Sequence, residues 1–339
     1  METFQLTSSG LVITRTGFGA LPIQRTSMKD AVPILQRAYE AGITFFDTAR
    51  GYTDSERKIG EALSAVRDRI VIATKSGATS RDLIWRDLET SLRHLRTDYV
   101  DLFQLHNPGK LPDPQDRTSS YAGLLEAREQ GLVRLIGITN HKIHLSRKAI
   151  LSGHYETLQY PLSAISDEQD LSLISLAKER GVGIIAMKAL CGGLLTHIPL
   201  AFAFLRQYPN VVPIWGIQRM EELEEVIALD NEPPVMDETM KALLDQNRTD
   251  LSGEFCRGCG YCLPCPAEIP IPLAARMYFL LRRAPTRNFL TPEWLEKMRK
   301  VQACQECGAC AERCPYGLDP RILLPGMLED FERMYADHP

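Results

Sequence analysis

The chain has 339 residues, of which 44% are hydrophobic and 24% are charged, and its formal net charge is −4. A chain of this length can bury a large core and is long enough for two domains. The negative charge argues against a general nucleic-acid-binding protein. Because no apolar run is long enough to cross a bilayer and the amino terminus has no signal-like segment, we expect a cytoplasmic protein without nucleic-acid or membrane partners.

Short apolar or β-branched runs alternate with amphipathic segments from residue 14 to about residue 230. The predicted strands are residues 12–18, 44–47, 69–74, 99–105, 133–138, 156–159, 182–186 and 211–215. The predicted helices are one between Ser27 and Gly42, then residues 55–65, 83–95, 120–130, 142–152, 169–180, 199–207 and 221–229. Such alternation predicts a parallel sheet, and eight strand–helix units predict an α/β fold closed into a (β/α)8 TIM barrel.

The alternation stops at residues 231–234, which read Asn-Glu-Pro-Pro. We therefore predict a domain boundary after residue 235, with the barrel in residues 1–235 and a second domain in residues 236–339. Helices are expected in the second domain at residues 237–246, 273–283 and 293–301, the last behind Thr291-Pro292. The second domain is thus predicted to be α-helical, with two cysteine runs placed among its helices.

Eight of the nine cysteines lie in residues 256–266 and 304–315, and each run has four cysteines with a proline after the last. This spacing is typical of cubane iron–sulfur proteins, so two runs predict two 4Fe-4S clusters in a ferredoxin-like domain. In two-cluster ferredoxins the last cysteine of each run binds the other cluster. By that rule one cluster is held by Cys256, Cys259, Cys262 and Cys314, and the other by Cys304, Cys307, Cys310 and Cys265.

Zinc and disulfide bonds are the alternative interpretations of the cysteines. Structural zinc sites usually take two cysteine pairs separated by a longer segment, and neither run has that form. Disulfide frameworks are typical of small secreted domains. The first run has two residues instead of three before its last cysteine, which leaves the assignment of each ligand more open than the identity of the ligands.

Four polar residues stand at or just after the ends of three consecutive predicted strands: Asp47, Tyr52, Lys75 and His106. Taken singly, each has an ordinary structural explanation as a loop anchor, an ion-pair partner or a buried histidine. In TIM barrels, however, chemistry takes place at the carboxyl ends of the strands. A lysine held by a carboxylate is expected to lower the pKa of a nearby phenol, and an imidazole can orient a carbonyl oxygen toward that phenol.

Several motifs recur at the ends of the predicted strands. They are residues 17–23 (Gly-Phe-Gly-Ala-Leu-Pro-Ile), 46–49 (Phe-Asp-Thr-Ala) with Tyr52, 75–77 (Lys-Ser-Gly), 101–107 (Asp-Leu-Phe-Gln-Leu-His-Asn), 137–140 (Gly-Ile-Thr-Asn), and 186–188 (Ala-Met-Lys) with 192–193 (Gly-Gly). Together with the cysteine runs they span almost the whole chain. In these motifs the chain resembles the aldo/keto reductases, in the subgroup with a carboxy-terminal ferredoxin-type domain.

The resemblance implies an oxidoreductase that interconverts a small-molecule carbonyl and an alcohol, with Tyr52 as general acid, Lys75 and Asp47 tuning it, and His106 orienting the substrate. It also implies a nicotinamide cofactor, NADP or NAD. The residues that correspond to its binding site are Thr139, Asn140, Gln159, Met187, Lys188, Gly216 and Arg219. Met187 stands where an aromatic residue usually stacks on the nicotinamide ring. Lys188 is either a ligand for a substrate carboxylate or phosphate or a solvated or ion-paired lysine.

The segment after the last strand departs from the family. Glu222 stands where an arginine often binds the 2′-phosphate of NADP, and only Arg219 is placed to compensate. In addition, clusters pass single electrons whereas nicotinamide delivers a hydride, so a relay between them needs a flavin or a radical-stabilising substrate. Three hypotheses follow: a nicotinamide-dependent reductase with the clusters as relay, a ferredoxin-linked reductase without nicotinamide, and a non-catalytic electron-transfer protein.

Overall fold

The computed structural model describes residues 1–251, 255–283 and 288–337. It divides into two compact units. The first unit comprises Met1–Ala189 and Pro199–Asp237, and the second comprises Leu190–Ile198 and Glu238–Pro339. The sequence assigns residues 190–198 to the barrel, whereas in the structure they group with the second unit.

An antiparallel pair of strands, β1 (Thr3–Gln5) and β2 (Val12–Thr14), opens the chain. The prediction of one strand at residues 12–18 is therefore wrong, because the chain turns after Thr14. The Thr14 hydroxyl stabilises this turn by donating to the carbonyl of Thr16 at 2.8 Å. Leu6 and Ile13 are buried in the same hydrophobic cluster as residues near the amino ends of the barrel strands, so the carboxyl ends are left for a site.

Eight parallel strands then close into a barrel, which confirms the predicted (β/α)8 fold. In chain order they are β3 (Gly17–Gly19), β4 (Phe45–Asp47), β5 (Val71–Ser76), β6 (Val100–His106), β7 (Val133–Thr139), β8 (Thr157–Pro161), β9 (Gly183–Met187) and β10 (Val211–Gly216). Each strand pairs with its neighbours in sequence, and β10 pairs with β3 to close the ring. Their runs of apolar residues are buried on both faces, as expected of a parallel sheet covered by helices.

The helices that connect the barrel strands follow the predicted order. They are α1 (Met28–Glu40), α2 (Ser55–Leu63), α3 (Arg81–Leu95), α4 (Ser120–Glu129), α5 (Ile143–Ser152), α6 (Glu168–Glu179), α7 (Ile198–Arg206) and α8 (Met220–Asn231). Ser27 begins α1 as predicted, because its hydroxyl accepts a hydrogen bond from the amide of Asp30. Short 3-10 helices occupy Pro22–Arg25 and Ser64–Arg69.

The second unit is helical in its described residues. Its helices are α9 (Glu238–Asp250), α10 (Ile271–Ala274), α11 (Met277–Arg283), α12 (Pro292–Arg299), α13 (Ala309–Glu312) and α14 (Pro320–Ala336), with a 3-10 helix at Lys300–Ala303. The predicted helix at residues 273–283 is divided into α10 and α11 at Ala275 and Arg276. The long helix α14 is not predicted from the sequence, and it contacts α10, α11, α12 and α13.

Phe331 of α14 and Met298 of α12 are fully buried and form part of this unit's core. Within the described ranges, no helix has both the length and the apolarity needed to cross a membrane.

Candidate functional site

The register of the barrel brings polar side chains to one end of neighbouring strands. Asp47 ends β4 and His106 ends β6, while Lys75 lies one residue before the end of β5. Lys75 pairs with Gln104 of β6, and His106 pairs with Thr139 of β7. Because all the strands are parallel, these residues share the carboxyl end of the barrel, where catalytic sites of this fold lie.

Tyr52 lies in the loop between β4 and α2 and is held by a well-bonded turn. Its amide donates to the carbonyl of Ala49 at 3.0 Å, and its own carbonyl accepts from the amide of Ser55 at 2.8 Å. The buried Ser55 hydroxyl donates to the carbonyl of Ala20 and accepts from the hydroxyl of Thr48. The phenol is thus fixed by buried backbone and hydroxyl groups at the amino terminus of α2.

Lys75 and Asp47 form a fully buried ion pair. The Lys75 Nζ donates to Asp47 Oδ1 at 2.7 Å and to the carbonyl of Thr48 at 2.6 Å. Burial raises the pKa of Asp47 and lowers the pKa of Lys75, and in each case the partner's charge opposes the shift. A buried pair of this kind is costly to break, because removing one partner leaves an uncompensated charge in the interior.

Two glutamine side chains complete the surroundings of Asp47. The Nε2 of Gln104 lies 2.8 Å from Oε1 of Gln159 and 3.4 Å from Oδ2 of Asp47, and Nε2 of Gln159 lies 3.4 Å from Oδ1 of Asp47. Gln104 was not among the predicted site residues. A signal was present, since Gln104 is, like Asp101, a polar residue inside an apolar strand and stands two positions before His106, on the same face.

Tyr52 and His106 approach each other above this buried pair. Their ring centroids are 5.8 Å apart with an interplanar angle of 84°, and Lys75 Nζ lies 5.0 Å from the Tyr52 ring centroid. Asp47, Tyr52, Lys75 and His106 are therefore brought together, as the sequence predicts of a catalytic set. The arrangement joins a proton donor, a buried ion pair and an imidazole.

The electrostatics of the phenol differ from the sequence expectation. Burial, followed by the negative charge of Asp47, raises the pKa of Tyr52 above its ordinary value, whereas a lowered pKa was expected from Lys75. The Lys75 ammonium is hydrogen-bonded to Asp47 and Thr48, and the effects of burial and of Asp47 on the phenol prevail. Burial and the charge of Lys75 lower the pKa of His106 to about 3, so its imidazole is neutral near pH 7.

A second histidine, His141, lies next to the predicted nicotinamide residues and was also missed. It is buried directly after Asn140, and burial, Lys188 and His106 lower its pKa to about 3. Its position in the sequence was the only signal, because it follows the Gly-Ile-Thr-Asn motif that ends β7.

The predicted nicotinamide residues lie in four different strands or follow them, and two of their side-chain amides already have partners. Asn140 Nδ2 donates to the carbonyl of Pro108 at 2.9 Å, and its Oδ1 accepts from the amide of Lys142 at 2.8 Å. Gln159 is bonded within the glutamine pair described above. Thr139 is buried at the end of β7 and Met187 ends β9 half-buried, while Lys188 follows with a positive φ of 60°.

At the start of α8, Glu222 is bonded to two backbone amides and to Arg219. Its Oε2 accepts from the amides of Gln218 and Arg219 at 2.9 and 3.2 Å, and its Oε1 lies 2.8 Å from Arg219 Nη2. Gly216 ends β10 two residues earlier. Arg219 was expected to compensate for Glu222, but in the structure its charge is paired with that same carboxylate.

The eight cysteines of the two runs line two cavities in the second unit. Cys256, Cys259, Cys262 and Cys314 line one, and Cys262, Cys265, Cys304, Cys307 and Cys310 line the other. Among the described residues, no three or more His, Cys, Asp or Glu side chains converge closely enough to bind a single metal ion. The ferredoxin rule divides the eight cysteines between two clusters in the same way as the two cavities do, apart from Cys262, which lines both cavities. Ligation of the clusters by these cysteines stays a prediction.

The thiols are suited to bind an iron–sulfur core, which carries positive charge. All are free, and burial raises the pKa of Cys256 and raises that of Cys262 to about 12. Thiolates in this environment need positive charge beside them, which an iron core supplies. The two cavities differ in access, since Cys304 and Cys307 of the second are exposed whereas Cys256, Cys259 and Cys314 of the first are half-buried. The residues therefore fit two iron–sulfur clusters, one of them close to solvent.

Comparison with known proteins agrees with this geometry. Residues 15–200 match the aldo/keto reductase family, and residues 255–319 match a 4Fe-4S dicluster domain. Because the first match covers more than half of the chain, this protein belongs to the aldo/keto reductase family and is an oxidoreductase. The resemblance stated from the sequence is thus confirmed, including the carboxy-terminal iron–sulfur domain.

Characterised relatives are similar to the barrel part of the chain. The aldo-keto reductase YhdN of Bacillus subtilis is 29% identical over 58% of this chain and 64% of its own length. The L-galactose dehydrogenase of Arabidopsis thaliana is 30% identical over 58% of this chain and 68% of its own length. The crystal structure of an aldo-keto reductase from Klebsiella pneumoniae in complex with NADPH superposes with a TM-score of 0.63 at 21% identity, over 73% and 95% of the two chains, and shows the shared fold.

Proposed function

We propose that this protein is an iron–sulfur aldo/keto reductase that interconverts a carbonyl and an alcohol at the carboxyl end of its barrel. The observation that carries the proposal is the buried Lys75–Asp47 pair beneath the neighbouring rings of Tyr52 and His106. A phenol that stays protonated, a neutral imidazole and a fixed ion pair together suit a reaction in which an oxygen atom gains a proton.

Each side chain has a defined part in this reaction. The Tyr52 hydroxyl donates its proton to the carbonyl oxygen of the substrate as that oxygen gains negative charge. The neutral His106 imidazole holds the same oxygen by a hydrogen bond and so sets the angle at which the phenol meets it. Lys75 stabilises the phenolate that remains, and Asp47 keeps the lysine charged and in place.

A bound nicotinamide would supply the hydride for the carbonyl carbon. Thr139, Asn140, Gln159, Met187, Lys188, Gly216 and Arg219 are the residues that would hold it. The amides of Asn140 and Gln159 would have to exchange their present partners for the carboxamide. Since Glu222 already accepts from the backbone amides at the start of α8, a cofactor without a 2′-phosphate is favoured, and we propose NAD over NADP.

The second unit would hold two 4Fe-4S clusters through the two groups of cysteines. Such clusters supply or accept one electron each. The exposure of Cys304 and Cys307 favours the cluster of the second run as the point where an electron carrier such as ferredoxin docks. Because none of the nine cysteines, all of which are among the described residues, forms a disulfide bond, the cytoplasm is the compartment that we propose.

A ferredoxin-linked reductase without nicotinamide is the second candidate. It is favoured by the partners that Asn140, Gln159 and Arg219 already have, because each of these side chains would need to be released for the dinucleotide. Anaerobic titration of the cluster-loaded protein with NADH and NADPH separates the candidates. Saturable binding of either supports the first, and none supports the second.

The assignment of Tyr52 is tested with a Tyr52→Phe variant, which removes only the phenolic oxygen. We expect carbonyl reduction, assayed over a panel of aliphatic and aromatic aldehydes, to fall about 10²- to 10⁴-fold because the general acid is lost. A Tyr39→Phe variant on α1 is the matched control, and iron content should be unchanged in both variants. Full activity of Tyr52→Phe would refute the role of Tyr52.

A further inference from the structure

Arg276 is a buried arginine in the second unit, between α10 and α11. Only 7% of its surface is exposed. Its Nε donates to the carbonyl of Pro272 at 2.9 Å, and its Nη1 donates to the carbonyl of Gly192 at 2.5 Å. The thiol of Cys256 lies 3.9 Å from the same Pro272 carbonyl. The guanidinium and the first cysteine of the first run therefore meet at one oxygen atom.

The guanidinium also packs directly on the loop that carries this run. A Cβ atom at Gly258 would lie 2.8 Å from Arg276 Cζ, and one at Gly192 would lie 2.5 Å from its Nη1. Gly258 has a φ of +63°, and its amide lies 3.3 Å from Cys256 Sγ. Glycine at these two positions thus allows a cation to lie against the backbone that surrounds the sulfur.

The surroundings of Arg276 connect its charge with cysteines. Burial lowers the pKa of Arg276, and the thiols of Cys256, Cys191 and Cys259, two of which line the first cavity, oppose this shift. Arg276 in turn opposes the effect of burial, which raises the pKa of the Cys256 thiol. In an environment of low dielectric constant such an interaction is strong, because little solvent screens it.

Arg321 occupies a comparable place beside the second run, but its charge is compensated. Its Nη1 lies 3.6 Å from the position of a Cβ at Gly308 and 3.4 Å from the carbonyl of Glu306. Unlike Arg276, it is solvent-exposed and pairs with Asp319 at 2.6 Å. Exposed ion pairs are screened by water and salt, so Arg321 should affect its cluster little.

We propose that Arg276 raises the reduction potential of the cluster held by Cys256, Cys259, Cys262 and Cys314, and that its anchoring by Gly192 and Pro272 fixes the charge that does so. Reduction adds one negative charge to the cluster. A buried guanidinium beside a ligand sulfur stabilises that charge, since net charge and hydrogen bonding around the sulfurs set cluster potentials. This inference rests on the proposed ligand set of the clusters.

The test is an anaerobic potentiometric titration of the full-length, cluster-loaded chain, followed by electron paramagnetic resonance. In Arg276→Met we expect one of the two potentials to become more negative. At a fixed solution potential, the ratio of reduced to oxidised cluster should fall about tenfold. For a one-electron couple this corresponds to a reduction potential about 59 mV more negative. Arg276→Lys, which keeps the charge, should shift it by less than half as much, and Arg321→Met should leave both potentials close to those of the wild type.

The possible outcomes separate charge from packing. Unchanged potentials in an Arg276→Met variant with full iron content would overturn the proposal, as would an equal shift in Arg276→Lys. If Arg276→Met loses iron, Arg276→Gln replaces it in the titration, and loss of iron from both neutral variants would show that Arg276 maintains the site instead of setting its potential. A wild-type chain that binds no iron would instead contradict the proposed ligand set.

Discussion

In the function proposed above, Glu222 is the single side chain that would decide which dinucleotide the barrel accepts. Its two carboxylate oxygens take up the backbone amides of residues 218 and 219 and the guanidinium of Arg219. These are the groups that the start of a helix offers to a phosphate. A negative side chain already seated there leaves no donor for a 2′-phosphate and repels one that approaches.

A Glu222→Gln variant should therefore change the preference between dinucleotides. We expect the ratio of NADPH to NADH affinity to rise about tenfold, because a repulsive charge is removed and Arg219 is released, which together are worth about 1.4 kcal/mol. Glu221→Gln, a substitution of the neighbouring carboxylate, is the control. Fluorescence titration with both dinucleotides measures the ratio, and the same ratio in wild type and variant would rule out this role of Glu222.

Part of the candidate site can be predicted from residue types alone, and part cannot. Asp47, Lys75 and His106 stand at strand ends, so a parallel barrel brings them to the same end. The raised pKa of Tyr52 depends instead on its burial and on the charge of Asp47, whose partner Lys75 is bonded to Asp47 and Thr48. The sequence shows which charges are present, but only the three-dimensional structure shows which partner each charge takes.

At the scale of elements, the barrel strands pack so closely that glycine is the residue that fits best at some positions. A Cβ atom at Gly137 of β7 would lie 2.2 Å from Thr157 Oγ1 and 3.0 Å from Gln104 Cγ. Gln104 in turn contacts Gln159 and Asp47, so crowding at β7 is transmitted to the catalytic end of the barrel.

We expect Gly137→Ala to lower the free energy of unfolding by about 1–3 kcal/mol, the usual cost of overpacking a well-filled core. Urea denaturation measures this loss. Gly109→Ala is the control, because an added Cβ there meets no heavy atom within 4 Å. The double variant Gly137→Ala, Thr157→Ala also removes the hydroxyl that the added Cβ would meet. It should therefore recover part of the lost free energy of unfolding. A Gly137→Ala variant as stable as the control would contradict this account of the packing.

Elements with strong periodicity were predictable, and those fixed by tertiary contacts were not. Helix α3 is amphipathic over its whole length and was predicted to within two residues at its start. By contrast, the helix predicted at residues 273–283 is interrupted at Ala275 and Arg276, where the arginine turns inward to the carbonyls of Pro272 and Gly192. Such a break is set by a partner 84 residues away in the chain, which local pattern cannot reveal.

At the scale of the molecule, the two candidate functions differ in where the two electrons of carbonyl reduction would come from. In the first a bound nicotinamide would supply both as a hydride, and in the ferredoxin-linked alternative two clusters that each carry one electron would supply the same number. In either case the barrel would provide the proton donor, and the second unit the cysteines. Neither unit has both, so the full chemistry belongs to the whole chain.

The two units should also differ in how far their thermal stability depends on bound iron. Removing iron with a chelator should lower the melting temperature of the second unit alone, because metal-binding free energy contributes to the folding of the part that binds it. Calorimetry of the chelated protein should show two transitions, with the upper one unchanged from the loaded protein. Restoring iron and sulfide is the control; a single transition that moves as a whole would contradict independent units.

The grouping of residues 190–198 with the second unit has a consequence for how such a protein can arise and vary. Joining two genes end to end gives partners that are each continuous in sequence. Here the second unit takes up an internal stretch of the barrel's sequence, so the chain passes between the units three times, after residues 189, 198 and 237. Gly192 lies within the barrel's stretch of the sequence. A substitution there would nevertheless first affect Arg276, which lies beside the first cysteine run.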